Sequence, residues 1–435
     1  MCGIAGVYNF NNKKVNSRLL KKITEKLSHR GPDSCGTKLI DNVGLGHRRL
    51  SILDLSINGN QPMKSNSNHL HIVYNGEVYN FLEIKEDLIK KKYKFLSESD
   101  TEVILNSYIE YGKNCFSKFN GMFSIAIYNS EEKELVIARD PLGIKPLYYY
   151  QNKNFFCFAS EIKSIKSHPE VMISLSKQGF VEYLWYGNQL GENTIYNEIK
   201  ELKPGTYKSI KINNITDKVF FSINKIREIK ITEKQAIYQV KNLLEESVKR
   251  HLVSDVDVGV FLSGGVDSSA ITAFASKHYS GKLKTYSVGF DFDNGNNELE
   301  KAKKIAKLFN TDHHEIIIKG VDIIEIIENL VYYHDGPFAD AADIPLFLLT
   351  KKLKGKVKVI LQGDGGDEIF GGYSRYTSIY NANFWSLFSF IPKTIEHLKT
   401  KNKFLIKIQR FISAITNKNM HERYALLLTM DSYYF

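Results

Sequence analysis

DVGVFLSGGVDSSAITAF, residues 257–274, reads as an apolar strand, a glycine-rich turn and the opening turns of a helix. Ser263, Gly264 and Gly265 would let backbone N–H groups close on phosphate oxygens, and the positive end of the following helix adds to the attraction. Asp267 would repel a bare phosphate. Its place in the turn therefore implies an intervening cation, and Mg²⁺ suits a carboxylate combined with phosphate oxygens. The Gly-Lys-Ser/Thr ending of a Walker loop is absent.

Working outward, the same alternation continues on both sides. Glu233–Val253 is patterned as an amphipathic helix, Val258–Leu262 as a strand and Ser268–Lys277 as a helix. Thr285–Phe290 is a second strand, after which Leu299, Ala302, Ile305, Ala306 and Phe309 recur at helical spacing. Glu315–Ile318 and Val357–Leu361 supply further strands, with a helix over Val321–Tyr333 between them. Strands alternating with helices predict a parallel sheet with covered faces. LQGDGGDEIFGGY (361–373) follows the last of these strands and carries Asp364, Asp367 and Glu368 among five glycines. Loops at strand carboxyl ends converge on the crevice of such a sheet, so Asp267 and Asp367 can meet over one Mg²⁺.

From Cys2 to Gly205 the pattern is different. Short alternating strands dominate, as in HLHIVYNGEVYN, GMFSIAIYNSEEKELVIARD and KPLYYYQNKNFFCFASEI, with a turn over Asn129–Glu134. Helices are expected only over Ser17–Leu27, Phe81–Lys90 and Thr101–Tyr111. This mixture predicts antiparallel sheets covered by helices. The weakly patterned stretch 206–231 reads as a linker, giving domains over 2–205 and 232–435.

Composition sets the outer limits. The chain has 435 residues, 43% of them apolar and 25% charged, as expected of a globular protein with two or three domains. Its 59 basic and 48 acidic residues leave a net charge of +11. The basic residues are dispersed along the chain, which argues against a nucleic-acid partner. No apolar run reaches the roughly 18–20 residues of a membrane span, and no secretory signal pattern opens the chain. Cys2, Cys35, Cys115 and Cys157 form neither a CxxC pair nor a zinc spacing, which fits a reducing cytoplasm.

Cys2 stands apart by position. Removal of Met1 would leave one residue carrying a thiol, with an ordinary pKa of about 8.5, and an α-amine, with one of about 7.7–8.0. The amine is then a base for its own thiol. Attack on a carboxamide makes a tetrahedral oxyanion, for which Asn75 offers a side-chain NH₂ and Gly76 an unobstructed backbone N–H. Arg49 can grip an α-carboxylate through two parallel bonds, and Asp100 can accept from an α-ammonium. Each has a plainer reading: Arg49 in a surface ion pair, Asn75–Gly76 as a hairpin turn, Asp100 as a helix cap.

In order along the chain, MCGIAGVY (1–8), HRGPD (29–33), HRRLSI (47–52), YNGEVYN (74–80), ESDTEV (98–103), NGMFSIAIYN (120–129), ARDPLGIKPLYYY (138–150) and FASEIKSI (158–165) resemble the N-terminal-nucleophile glutaminase domain of class II amidotransferases. SGGVDSS (263–269), YSVGF (286–290), DGPFADAADIP (335–345) and GDGGDEIFGGYSRY (363–376) resemble the ATP-pyrophosphatase domain of glutamine-hydrolysing asparagine synthetases. The resemblance implies an α+β αββα sandwich of the N-terminal-nucleophile hydrolase type, followed by an α/β parallel-sheet adenine-nucleotide-binding domain. It makes Cys2 the nucleophile, with Asn75 and Gly76 as the oxyanion hole. It gives Arg49, Leu50, Ser51, Ile52, Leu53, Glu77 and Asp100 to glutamine. ATP takes Leu262, Ser263, Gly264, Gly265, Asp267, Ser268, Val288, Gln362 and Gly363; Asp364 and Glu368 flank an aspartyl-adenylate, and Asp267 and Asp367 hold Mg²⁺. Gln362 departs from the family's usual Ser, and Asp364 stands where some members have Glu.

The implied reaction uses glutamine, aspartate and ATP in the cytoplasm. Cys2 frees ammonia from glutamine, and the ammonia displaces AMP from ATP-activated aspartate. No membrane or nucleic acid takes part, and a homodimer is left open. A second enzymatic reading amidates another carboxylate, such as a uronic acid of a polysaccharide; a third is an inert remnant that only binds. Family members continue past position 435 through a segment resembling SLExRxPFLD, which 377–435 lacks. Glutaminase chemistry is therefore expected to survive better than amide synthesis. The basic stretch after 377 is expected to form one or two core helices, with membrane-surface binding as the alternative.

Overall fold

The computed structural model describes residues 1–67, 69–290, 298–318, 323–340, 342–373, 376, 381, 403–416, 419, 422 and 425–426. The first half opens with β1 (Gly3–Asn9), α1 (Ser17–Glu25), β2 (Ser34–Ile40), β3 (Val43–Arg49), β4 (Met63–Lys64) and β5 (Leu70–Val78). It continues with α2 (Phe81–Lys90), α3 (Asp100–Tyr111), β6 (Gly121–Asn129), β7 (Glu134–Arg139), β8 (Tyr148–Gln151) and β9 (Phe155–Ala159). α4 (Ile162–Lys166), α5 (Lys177–Tyr186), β10 (Ile199–Glu201), β11 (Thr206–Lys211) and β12 (Asn214–Val219) complete it.

These strands make two antiparallel sheets, in the orders β10-β8-β9-β1-β3-β2 and β12-β11-β7-β6-β5-β4. Side-chain alternation along β1 shows why they stack. Ile4 and Tyr8 point into the core between the sheets, with Ala126, Phe156 and Ile210, whereas Ala5 and Val7 point outward beneath α1 and α4. On the far side, α2 and α3 cover the second sheet through Leu88, Ile104 and Tyr108. The result is the expected four-layer αββα sandwich.

The boundary expected at residue 205 falls inside this sandwich. Thr206–Lys211 pairs with β7 and folds back as Asn214–Val219, so the first half of the expected linker is a sheet-edge hairpin. Burial of Ile210 between the sheets drives it, and Lys208, which reads as a solvated residue in the sequence, is buried against Asp217. Two helices also go beyond the expectation. α5 has readable signals, Ser176 capping Gly179 N–H and Gly187 ending the helix in the left-handed conformation.

The second half runs α6 (Glu233–His251), β13 (Val258–Phe261), α7 (Val266–His278), β14 (Lys284–Phe290), α8 (Leu299–Leu308), β15 (Asp312–Ile318), α9 (Ile323–His334), α10 (Asp343–Leu353), β16 (Val359–Leu361) and α11 (Gly366–Phe370). A Thr232–Gln235 capping box starts α6. The four strands are parallel, in the order β15-β14-β13-β16. The stretch after 377 lies largely outside the described residues. Within it Lys403–Thr416 is helical, with Ile412 and Ala414 buried. No described helix is long and apolar enough to cross a membrane.

Candidate active sites

Cys2 lies immediately before β1, whose first residue pairs with Arg48 of β3. The turn leaving β3 therefore meets the thiol: Cys2 Sγ accepts from Leu50 N–H at 3.4 Å and faces Leu50 O at 3.7 Å. Arg30 Nε donates to the Cys2 carbonyl at 2.9 Å. Burial pushes the thiol up from its ordinary value, against the Leu50 bond and the nearby amino terminus. The amine, here that of Met1, is lowered to about 6 by burial, with the positive charges of Arg30 and Lys145 adding to the effect. Removal of Met1 would place the free amine on Cys2 itself, within reach of its own thiol.

β5 packs across from β1 and carries the next residues of the site. Asn75 and Gly76 sit within the strand, opposite Ser124 and Phe123, and are not a hairpin turn. Asn75 is 1% exposed, and its side-chain NH₂ has no acceptor among the described residues. An unpaired buried donor is costly unless a bound group completes it, and a developing oxyanion would do so. Behind it, His47 Nε2 bonds Tyr74 O at 3.1 Å, and burial lowers its pKa to about 3, so the ring stays neutral and donates.

Two carboxylates complete the group. Asp100 accepts from Tyr74 OH at 2.7 Å and from Val78 N–H at 3.1 Å. Ser99 caps α3, so Asp100 is free of the capping role. Burial raises Asp100 to about 6. Burial and then Asp100 raise Glu77, with Lys145 and the amino terminus opposing.

Arg49 differs from its expected use. Its Nη1 donates to Ser56 O and Asn60 Oδ1 at 2.9 and 3.0 Å, and its Nη2 to Leu53 O at 3.2 Å and to Asp54 O. The fork that would grip a carboxylate is committed to the 53–60 loop, which leaves Nε as the donor with no partner among the described residues. Ser51 N–H bonds Asp33 at 2.9 Å, and Ile52 O accepts from Asp255 N–H at 3.0 Å. The segment 50–53 thus runs from the thiol to the second half.

In the second half, the chain passes from β13 to β14 and β15 on one side, then returns as β16 on the other. The crevice between the ends of β13 and β16 is a switch point, where ligands of such sheets bind. Gly264 has φ +80° and packs against Lys301 and Ala302, a place and a conformation that suit only glycine. Ser263 and Ser268 share a 3.0 Å hydroxyl bond that fixes the turn at the start of α7. Leu262 is buried behind it and bonds Tyr286 of β14, two residues before Val288. From β16, Gly363 and Gly366 press on Asp267; a Cβ on Gly366 would lie 2.6 Å from its carboxyl carbon. Asp367 folds against Gly372, Gln362 donates to Asp364, and Tyr373 donates to Glu368 at 2.7 Å. Burial, with Glu368 and Asp340 nearby, raises Asp364.

The donor set tests the expected cation. Among the described residues no group of three or more His, Cys, Asp or Glu could hold a metal by itself. Asp267, held in a glycine cradle, and Asp367 offer hard oxygens only. They fit an ion such as Mg²⁺ that takes most of its ligands from phosphates and water. The residues missed in the sequence are Arg30, Lys145, Glu161 and Lys163. They lie in the quoted motifs, but only burial reveals their partners.

Residues 1–221 match the family model described as a glutamine amidotransferase domain, and residues 239–432 the one described as asparagine synthase. Asparagine synthetase [glutamine-hydrolyzing] 1 of Bacillus subtilis is 38% identical over 380 residues, covering 86% of this chain and 59% of that protein. The putative asparagine synthetase [glutamine-hydrolyzing] 2 of Methanocaldococcus jannaschii is 35% identical over 416 residues, 88% of this chain and 78% of that one. Asparagine synthetase [glutamine-hydrolyzing] 3 of B. subtilis is 33% identical, with 92% and 67% covered. The chain thus spans about three-fifths of the first relative's length.

Proposed function

Because the chain belongs to the family of glutamine-hydrolysing asparagine synthetases, we propose that it makes asparagine from aspartate, ATP and ammonia released from glutamine. Once Met1 is removed, the thiol proton of Cys2 passes to its own α-amine, and the sulfur attacks the glutamine side-chain carbonyl carbon. The oxygen that becomes negative is met by the Asn75 NH₂ and the Gly76 N–H. The proton held by the amine then goes to the leaving nitrogen, ammonia departs, and water hydrolyses the γ-glutamyl thioester. Asp100 accepts from the α-ammonium of glutamine, Glu77 lies beside it, and Arg49 shapes the 50–54 wall with Nε left for the α-carboxylate.

In the second site the aspartate side-chain carboxylate attacks the α-phosphorus of ATP, pyrophosphate leaves, and ammonia displaces AMP from β-aspartyl-AMP. Ser263, Gly264, Gly265 and Ser268 present donors to the phosphates at the N-terminus of α7. Leu262, Val288, Gln362 and Gly363 line the adenylate, and Asp364 and Glu368 face the activated acid. Asp267 and Asp367 would hold Mg²⁺, which when bound neutralises phosphate charge.

The observation that carries the reading is the buried Asn75 amide without an acceptor on the strand facing the Cys2 residue. The test supplies the chain with glutamine, aspartate and ATP and follows glutamate, asparagine and AMP separately. Cys2→Ala is expected to abolish glutamate release and spare asparagine formation from added ammonium. Glutamate release that persists in Cys2→Ala would refute the assignment.

A further inference from the structure

Two quoted motifs, FASEIKSI and DGPFADAADIP, contribute little to the chemistry above, yet the fold brings them together. Ser160 is fixed to β1: its N–H donates to Ile4 O at 2.9 Å and its hydroxyl accepts from Ile4 N–H at 3.0 Å. The next residue, Glu161, accepts at Oε1 from Arg30 Nη1 and from His29 Nε2, each at 2.9 Å, and at Oε2 from Lys163 Nζ at 2.5 Å. Arg30 is the residue that holds the Cys2 carbonyl. Lys163 continues the chain into the second half: its Nζ lies 3.2 Å and its backbone N–H 3.1 Å from Asp335 Oδ1. None of the Arg30, Glu161, Lys163 and Asp335 side chains is more than 11% exposed. Asp335 itself has φ +60°, a backbone state uncommon for a residue with a side chain, at the point where the chain leaves α9.

A buried row of alternating charges behaves as one unit, because removing a member leaves its neighbour with one buried partner fewer. Here the row begins at the backbone of the nucleophile residue and ends on a loop of the other half. We propose that Glu161 and Lys163 are positioning residues that tie Cys2, through Arg30, to the Asp335 loop, so that reactivity of the thiol depends on a side chain from across the interface. The proposal rests on the reading of Cys2 as nucleophile, but one arm of its test does not.

The full chain is used with Cys35→Ser, which removes the exposed second thiol. Two rates are followed across the pH range in which thiol and amine titrate: iodoacetamide alkylation of Cys2, read as mass gain of the N-terminal peptide, and glutamine hydrolysis. Asp335→Asn and Lys163→Met are each expected to slow alkylation and lower kcat on the order of three- to tenfold, with KM for glutamine within about twofold. The double variant should be no slower than either single one, and Asp335→Glu should recover most of the loss. Lys163→Gln, which keeps a donor between the carboxylates, serves if Asp335→Asn does not fold. Variants that unfold more easily but alkylate at the wild-type rate, or losses that multiply in the double variant, would overturn the proposal. If the wild-type chain releases no glutamate while alkylation still follows Asp335, the function is wrong and the linkage stands.

Discussion

Asp100 has a carboxyl pushed up to about 6 by burial, in spite of bonds from Tyr74 and Val78. The folded state therefore holds this proton more tightly than the unfolded chain, whose Asp titrates near 3.8. The contribution to stability is most favourable below that value, falls as pH rises to about 6 and stays low above it. Holding the proton up to about pH 6 in place of 3.8 corresponds to on the order of 3 kcal/mol, lessened by whatever bonds an amide fails to keep. Asp100→Asn is expected to raise the thermal midpoint at pH 7, to lose that advantage near pH 4, and to raise KM for glutamine at least tenfold. Equal gains at both pH values would mean that ionisation is not the cause. Cys2, Asn75 and Asp100 can be picked out from sequence because their side chains suit the chemistry by type. Arg30 and Glu161 cannot, because a charged residue in a motif says nothing of which opposite charge it will be buried against.

The connection from β7 to β8 shows how an element is held without regular structure. Asp140 is fully buried and its carboxylate accepts from the N–H groups of Phe123, Leu142, Ile144 and Lys145 at 2.9–3.1 Å. Arg139 secures the same loop through the carbonyls of Gly143, Lys145 and Leu202 at 2.7–2.9 Å. Asp140→Ala leaves the buried N–H groups of Phe123 and Lys145 without their acceptor, at an expected cost of about 3–5 kcal/mol. Urea unfolding would register this as a lower midpoint with an unchanged slope, and a loss under about 1 kcal/mol would show that Arg139 suffices. At this scale α2 and α3 are legible from apolar spacing, and β1, β5 and β6 from alternation. The β11–β12 hairpin is not, because its sheet-facing residues include Lys208 and Ser209, whose burial depends on Asp217, Lys113 and Glu134.

Across the whole molecule, the halves meet on the walls of both sites. Asp255, between α6 and β13, accepts from Asp54 N–H at 2.7 Å and donates its own N–H to Ile52 O at 3.0 Å. Lys358, one residue before β16, binds Asp33 at 2.7 Å, and Arg250 meets Glu83 at 3.1 Å while His251 stacks on Tyr79. The segment proposed to line glutamine is therefore braced by residues that lead into the phosphate loops. Asp255→Ala removes the side-chain bond and keeps the backbone one, so KM for glutamine should rise about two- to tenfold, the net effect of one hydrogen bond. An unchanged KM would show that the 52–54 wall holds its shape without the second half.

Local signals were enough for the two folding regimes, the strand–turn–helix at 257–274 and the chemical candidates, because periodicity and turn chemistry are properties of neighbours along the chain. Three things needed the tertiary structure: the place of the 206–219 hairpin, the commitment of Arg49 to backbone carbonyls, and the ionic row from Arg30 to Asp335. Each depends on which groups lose water together, and groups 130 or more residues apart, like Arg30 and Glu161, are matched only when packing removes the solvent between them.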